Sequence, residues 1–417
     1  MIQLKPSTLA LLAAIIAALT GYIALELAFP VTLGKERLLD FDVFHLVSTM
    51  IAEGNLIDAY AIETFLPRQA EVPGFNDGEM LWSYPPFFSL VVAPLSLLPT
   101  VPSYLLFMTA TLVFYVRVVR TLAGPAFHTV LVLFLPLAML IIIAGQNSFL
   151  TGGLIGLTCV LAQRRSRWSG VPLGLMAIKP HLALGVGLWS LLDRRWGMAL
   201  QSFAVIGLFG ALATLAFGTG VWTATLDSMT ATAEALHHGR FPLFRMTSLY
   251  AFGLSVGWGH TVALSLHLAG VVAAVAGLVF LVRAQLPPRV VMGAGVFVSA
   301  LISPYNYDYD LAMLAAAACL LTETVAQHAS KAERGTIAAA ILIVSSYWFV
   351  MTTGFDVAVR LGLIAAPEGR VTHASPLGPI LFVGGVVLFR VIWRSRETAQ
   401  AAPSAAPAPM KAGLTPT

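Results

Sequence analysis

Apolar residues in this chain come in long runs, and polar residues gather in the stretches between them. Runs near 8–30, 102–120, 126–144, 148–163, 169–179, 180–193, 196–217, 261–283, 289–303, 308–326, 334–354 and 377–393 predict twelve helices. About 20 apolar residues cross a bilayer, so most of these can span; the two short runs within 169–193 are the exception. Tyr84–Pro99 is apolar but only 16 residues long with four prolines, which predicts a re-entrant or interfacial helix held against protein. Ser248 to Trp258 is expected to behave the same way. Phe41 to Ile51 has apolar positions at helical spacing, as in an amphipathic helix on the membrane surface. Two long outer loops remain, Val31 to about Val101 and Gly218 to about His260, and loops of that length commonly carry function. Lys5 ahead of an apolar run resembles a signal peptide, but the run continues to about Pro30 and many more follow, so an uncleaved first helix is expected. The predicted fold class is an all-α polytopic membrane protein of about twelve transmembrane helices. It forms one domain over 1–397, followed by an Ala/Pro-rich tail over 398–417 expected to be disordered.

Composition explains why lipid must be the solvent. Hydrophobic residues make up 58% of the chain, charged ones 11%, and the mean hydropathy is +0.84, whereas soluble domains carry roughly 25% charged residues. The net charge of +4 comes without a dense basic stripe, which excludes a nucleic-acid partner. Cys159 and Cys319 lie inside apolar runs, so no disulfide framework is expected. With a cytoplasmic N-terminus, sixteen of the 24 basic residues fall in inner loops, among them Arg117, Arg164, Arg194, Arg283, Lys331 and Arg394. Only Asp193, Glu323, Glu333 and Glu397 of the 20 acidic residues join them. The positive-inside rule then places both termini in the cytoplasm. The expected location is the plasma (inner) membrane, with the long loops extracytoplasmic.

The polar residues concentrate at the outer helix ends. Asp40 and Asp42 follow the first helix; a carboxylate there can act as a general base, or simply cap a helix. Trp82, Tyr84, Pro85 and Pro86 suit either sugar stacking or an interfacial aromatic belt. Gln146 and Asn147 after Gly145 offer paired donors and acceptors for sugar hydroxyls, or form an ordinary tight turn. Lys179, followed by Pro180 and His181, is set in an apolar stretch of about 24 residues. A cation there needs an anion, and a lipid phosphate is available; snorkelling to an interface is the alternative. Ser303 to Asp310 brings three tyrosines and two aspartates to a helix start, with Tyr305 and Asp310 as candidate ligand contacts. The second outer loop carries His237, His238, Arg240 and Arg245. The two arginines can grip phosphate bidentately, while the adjacent histidines read as a solvated loop. There is no Gly-x-x-x-x-Gly-Lys-Ser/Thr and no dinucleotide fingerprint.

In their order and spacing these stretches resemble glycosyltransferase family 87 of the GT-C superfamily of polytopic membrane glycosyltransferases. The likeness is carried by Asp40-Phe41…Phe44-His45 with Gly54 and Tyr60, and by Tyr84-Pro85-Pro86 with Ala93-Pro94-Leu95 and Leu98-Pro99. Gly145-Gln146-Asn147 with Leu150-Thr151, Lys179-Pro180-His181 with Arg195-Trp196, and Pro304-Tyr305 with Tyr309-Asp310-Leu311 complete it. It runs over roughly residues 8–325, and the rest of the chain is expected to add only helices. The resemblance implies a GT-C-type bundle with re-entrant or juxtamembrane helices in the first outer loop. It implies transfer of a hexose such as mannose from a polyprenyl-phosphate carrier to a hydroxyl on a lipid or glycan, with inversion; no cofactor is expected, and because a glycosyl phosphate is already a competent leaving group, no metal is chemically required. It further implies that the first-loop aspartate is the general base: Asp40 matches that position and Asp42 occupies an apolar one, with the base left open between the two. Tyr84, Gln146, Asn147, Lys179, His181, Arg240, Arg245, Tyr305 and Asp310 are then the substrate-binding candidates. Two positions depart from the pattern: His45 stands where the family often has Trp, and Asp310 where similar mannosyltransferases have His. A lipid-linked sugar flippase and a secondary transporter are the competing classes; neither needs a catalytic aspartate.

Overall fold

The computed structural model describes residues 40–72, 80–237, 240–354, 359, 363 and 373–401. The helix expected near 8–30 lies outside these residues. So does the tail from 402; Thr398 to Ala401, expected in that tail, instead extend the last helix. Among the described residues there is no strand, only an isolated antiparallel bridge between Met246 and Tyr307.

The described residues open with three short helices: α1 (Asp40–Ala52), α2 (Ile62–Ala70) and α3 (Pro86–Val92), the last continued by a 3-10 turn at Ala93–Leu97. The first two long helices are α4 (Thr100–Ala123) and α5 (Phe127–Ala144), broken apart at Gly124 and Pro125. They form an antiparallel hairpin, because Tyr104 near the start of α4 donates to the carbonyl of Ile142 near the end of α5 at 2.6 Å. Next come α6 (Ser148–Gln163), α7 (Gly170–Leu175), α8 (Leu184–Leu192) and α9 (Trp196–Phe217). Proline lacks an N–H and disfavours helix at the residue before it. Accordingly, α7 and α8 are two half-helices that meet at Lys179-Pro180, where Lys179 adopts φ −152° and ψ 68°.

After α10 (Gly220–His237), α11 (Leu249–Ser255) begins at Ser248, whose hydroxyl accepts from Ala251 N–H at 3.0 Å. The remaining helices are α12 (His260–Arg283), α13 (Pro288–Ile302), α14 (Leu314–His328), α15 (Lys331–Phe349) and α16 (Leu377–Ala401). Pro288 sits at the first turn of α13, where its missing N–H costs nothing. A reciprocal Ser330–Glu333 capping box starts α15.

Among the described residues, six stretches are long and apolar enough to cross a membrane: Thr100–Ala144, Trp196–Phe217, His260–Arg283, Asp308–His328, Lys331–Thr352 and Leu377–Glu397. The first of them is the α4–α5 hairpin. The protein is an all-helical polytopic membrane protein. The apolar segment Pro86–Leu97 is too short to cross, and its Phe87 packs on Phe209, in the C-terminal half of α9, with ring centroids 5.5 Å apart. The α1 helix is more deeply packed than a surface helix: Phe41, Val43, Phe44, Val47 and Met50 are all buried.

Small residues bring the helices together, as is usual where lipid supplies no hydrophobic drive. A methyl group on Gly152 of α6 would sit 3.1 Å from the backbone of Ala312, and one on Gly185 of α8 2.2 Å from the carbonyl oxygen of Gly295 in α13. The basic loops meet at one end of the bundle. Arg195 donates to Ala162, Arg289 to Leu122, Cys319 and Leu320, and Arg394 to His328 and Glu333. The polar clusters lie at the opposite end.

Candidate functional site

The site is built from six separate chain segments. The first is the N-terminal turn of α1, which carries Asp40. It reaches the α5–α6 turn because Gly145 has no side chain there. Gly145 caps α5 in the left-handed region (φ 68°), and a Cβ on it would lie 2.4 Å from Phe41 Cβ. The following Gln146, 2% exposed, hydrogen-bonds the Asp40 carboxyl. Its Oε1 also accepts from the Tyr84 hydroxyl at 3.2 Å. Tyr84 in turn packs edge-on to Phe44 and against Trp82 and Phe88, so aromatic burial fixes the segment leading into α3 over α1.

The remaining segments supply charge. Lys179, at the break between the half-helices, is 7% exposed and ion-paired with Asp310. Its ammonium also lies 5.5 Å from the Tyr84 ring centre and 5.2 Å from that of Tyr309. Arg245 forms a two-pronged pair with Asp308, Nε to Oδ2 at 3.3 Å and Nη2 to Oδ1 at 3.0 Å. It lies 5.2 Å from the same Tyr309 ring. The loop bearing Arg245 is stitched to residues 304–308 through the Met246–Tyr307 bridge, Thr247 N–H to Asn306 O at 2.8 Å, and Ser248 Oγ to Pro304 O at 2.6 Å. One tyrosine ring, that of Tyr309, is thus shared by two cations, each held by its own aspartate.

Asp40 keeps some accessible surface, yet protein surrounds its carboxyl. Burial pushes its pKa from 3.8 up to about 6, against the opposing pull of Arg245, the Gln146 hydrogen bond and Lys179. Desolvation disfavours the charged form, and nearby cations restore it only partly. A carboxylate poised near neutrality beside two cations can take a proton while those cations stabilise negative charge developing nearby.

The candidates from the sequence divide as follows. Asp40, Tyr84, Gln146, Lys179, Arg245 and Asp310 come together. Asn147 adjoins them, fully buried, and neither polar atom of its amide has a hydrogen-bond partner; the buried Nε2 of His181, near Lys179 and Asp310, has none either. Asp42, two residues beyond Asp40, is turned about 200° around the helix. Arg240 is exposed at the end of α10, and Tyr305 is 45% exposed against Tyr250, so neither joins the cluster. The side chains of His237 and His238 lie outside the described residues. His45 is a brace rather than a ligand contact: its ring nitrogens meet Leu98 O at 2.9 Å and Thr100 Oγ1 at 3.2 Å. Lys179, expected to await an anion, already has Asp310. Asp308, Tyr307 and Tyr309 were missed as site residues. The alternation Tyr305-Asn306-Tyr307-Asp308-Tyr309-Asp310 is the signal that could have found them. Among the described residues no group of three or more His, Cys, Asp or Glu could hold a metal ion.

A family model, Glycosyltransferase family 87, matches residues 82–304, more than half of the 417-residue chain. The match takes in Tyr84, Gln146, Lys179 and Arg245; Asp308 and Asp310 follow just after its end, and Asp40 lies well before its start. No curated protein and no solved structure matches the chain.

Proposed function

The chain belongs to glycosyltransferase family 87, a GT-C type family, and on that premise we propose that this membrane glycosyltransferase moves a hexose from a polyprenyl-phosphate carrier to a hydroxyl acceptor, with Asp40 as general base. The observation that carries this reading is the meeting of Asp40 with Lys179 and Arg245 in one buried cluster. The acceptor oxygen attacks the anomeric carbon and passes its proton to the Asp40 carboxylate. The bond from that carbon to the phosphate oxygen breaks with its electron pair, so the configuration inverts. The departing phosphate is stabilised by Lys179 and Arg245, whose charges Asp310 and Asp308 only balance. Asn147 and His181, with buried polar atoms unpaired, face the sugar hydroxyls, where the missing hydrogen bonds are made. The chemistry calls for no metal.

The carrier's hydrocarbon tail lies among the helices. An apolar cavity of about 220 Å³ between α12, α13 and α16, reaching Leu301, offers it room. The half-helices at Lys179 and the short apolar helices beside them complete a GT-C-type bundle of about twelve crossings. The basic end faces the cytoplasm by the positive-inside rule, which puts the site on the extracytoplasmic side of the plasma membrane.

The test is a transfer assay on purified protein in proteoliposomes. A panel of radiolabelled polyprenyl-phosphate sugars is offered with a membrane extract as acceptor, for wild type and Asp40→Asn. Label leaving the carrier with wild type alone supports the reading and names the donor. Translocation of lipid-linked sugar that persists in Asp40→Asn, with no transfer, would instead make the protein a flippase.

A further inference from the structure

Arg245 has a neighbour from the last part of the chain, which the sequence reading expected to add only helices. Trp348, at the end of α15, lies beyond both the matched residues and the motifs that carry the resemblance. Its ring centre is 5.9 Å from the Arg245 guanidinium carbon, with Tyr307 at 5.7 Å and Tyr309 at 5.2 Å. Three rings and the Asp308 carboxylate enclose this one side chain. Its Nε and Nη2 donate to Asp308, which leaves Nη1 for an incoming oxygen.

The surrounding chain holds Trp348 in register with the loop. One residue further on, Val350–Gly354 form a π-helix, a widened turn frequent at functional sites. Residues 373–375 then fasten the Arg245 loop from the far side. Ser375 Oγ donates to Met246 O at 2.6 Å, Ser375 N–H to Ser255 Oγ at 2.9 Å, and His373 packs edge-on against Phe244. Tyr347, next to Trp348, donates to Ala374 O at 2.8 Å. The loop is therefore gripped between residues 304–308 on one side and α15 with residues 373–375 on the other.

The two kinds of contact behave differently when a phosphate arrives. Asp308 already holds Nε and Nη2 of the guanidinium and is repelled by the arriving anion. An aromatic face attracts the cation through its quadrupole, takes no N–H and carries no charge. It keeps the guanidinium aimed while the hydrogen bonds are redistributed. We propose that Trp348 is a positioning residue that holds Arg245 in place for the phosphate of the lipid donor. This rests on the reading of Arg245 as a phosphate-holding group.

The experiment measures the dissociation constant of polyprenyl monophosphate, the product-side lipid, for full-length protein in detergent, so that neither sugar nor acceptor need be known. Wild type, Trp348→Leu, Trp348→Phe, Arg245→Gln and the Trp348→Leu/Arg245→Gln double variant are compared, each with its melting temperature. Trp348→Leu is expected to weaken binding roughly threefold to thirtyfold, Trp348→Phe to restore most of it, and Trp348→Leu to add nothing once Arg245 is Gln. An equal loss in both backgrounds, or no rescue by Phe, would show a general packing role and overturn the proposal. If Arg245→Gln binds as wild type does, the phosphate reading of Arg245 fails and the proposal falls with it. If Arg245→Gln weakens binding and Trp348→Leu does not, the proposal alone fails.

Discussion

Replacing Asp40 by Asn separates chemistry from folding, because the two respond in opposite directions. A folded-state pKa of about 6 against an ordinary 3.8 means that the fold binds the acid form more tightly. The stability this gives is fully present below pH 3.8 and is lost as pH rises through about 6. At neutral pH the buried carboxylate therefore sits at a disadvantage of up to about 3 kcal/mol. Asparagine keeps the shape and the hydrogen bond to Gln146 without the charge. Asp40→Asn is thus expected to melt at the same temperature as wild type or higher at pH 7, and to lose the margin at pH 4. Activity is expected to fall by roughly 10² to 10⁴, the usual worth of a positioned base. In wild type, kcat/KM should drop about tenfold per pH unit below pH 6 and level off above it. The assays are label transfer from polyprenyl-phosphate sugar in proteoliposomes across pH 5–8, and melting curves of both proteins. A flat pH profile, or a variant that stays active, would refute the assignment of Asp40 as base.

Asp42→Asn should change transfer less than twofold in the same assay, since that side chain points elsewhere on α1; abolition would move the base to Asp42. Gly145→Ala should destabilise the protein by about 1–3 kcal/mol in a melting experiment and lower turnover, because a methyl group there collides with Phe41 and lifts Asp40 away from Gln146. Asp310→Asn leaves buried Lys179 without its counter-ion and should cost about 3–5 kcal/mol. The Lys179→Met/Asp310→Leu double variant should recover most of that stability and remain inactive, read by melting and transfer together.

The apolar runs were legible because lipid demands a length and a composition that a run of residues either has or lacks. The apolar runs at 126–144, 148–163 and 196–217 predict helices, and the structure has them at Phe127–Ala144, Ser148–Gln163 and Trp196–Phe217. The break at Lys179-Pro180 was equally readable, since proline acts on its own backbone and its immediate neighbour. The motif residues Asp40, Gln146, Lys179 and Asp310 could be named from the chain as well.

What tertiary structure alone decided is which of them meet, and who holds whom. Asp42 and Asp40 are equivalent by composition; only the rotation of α1 against Gly145 aims one of them at Gln146. Arg240 and Arg245 are equivalent as phosphate ligands; only the bridge from Met246 to Tyr307 brings the second onto Asp308. Tyr305 and Tyr307 are two residues apart, yet Tyr305 lies exposed in a turn while Tyr307 stacks on Tyr309. Trp348 had no local signal at all. Spans are set by each segment's own transfer into lipid. The site is set by how helices pack sideways through small residues such as Gly152 against Ala312 and Gly185 against Gly295, and that pairing depends on residues far apart in the chain, which no periodicity within one helix records.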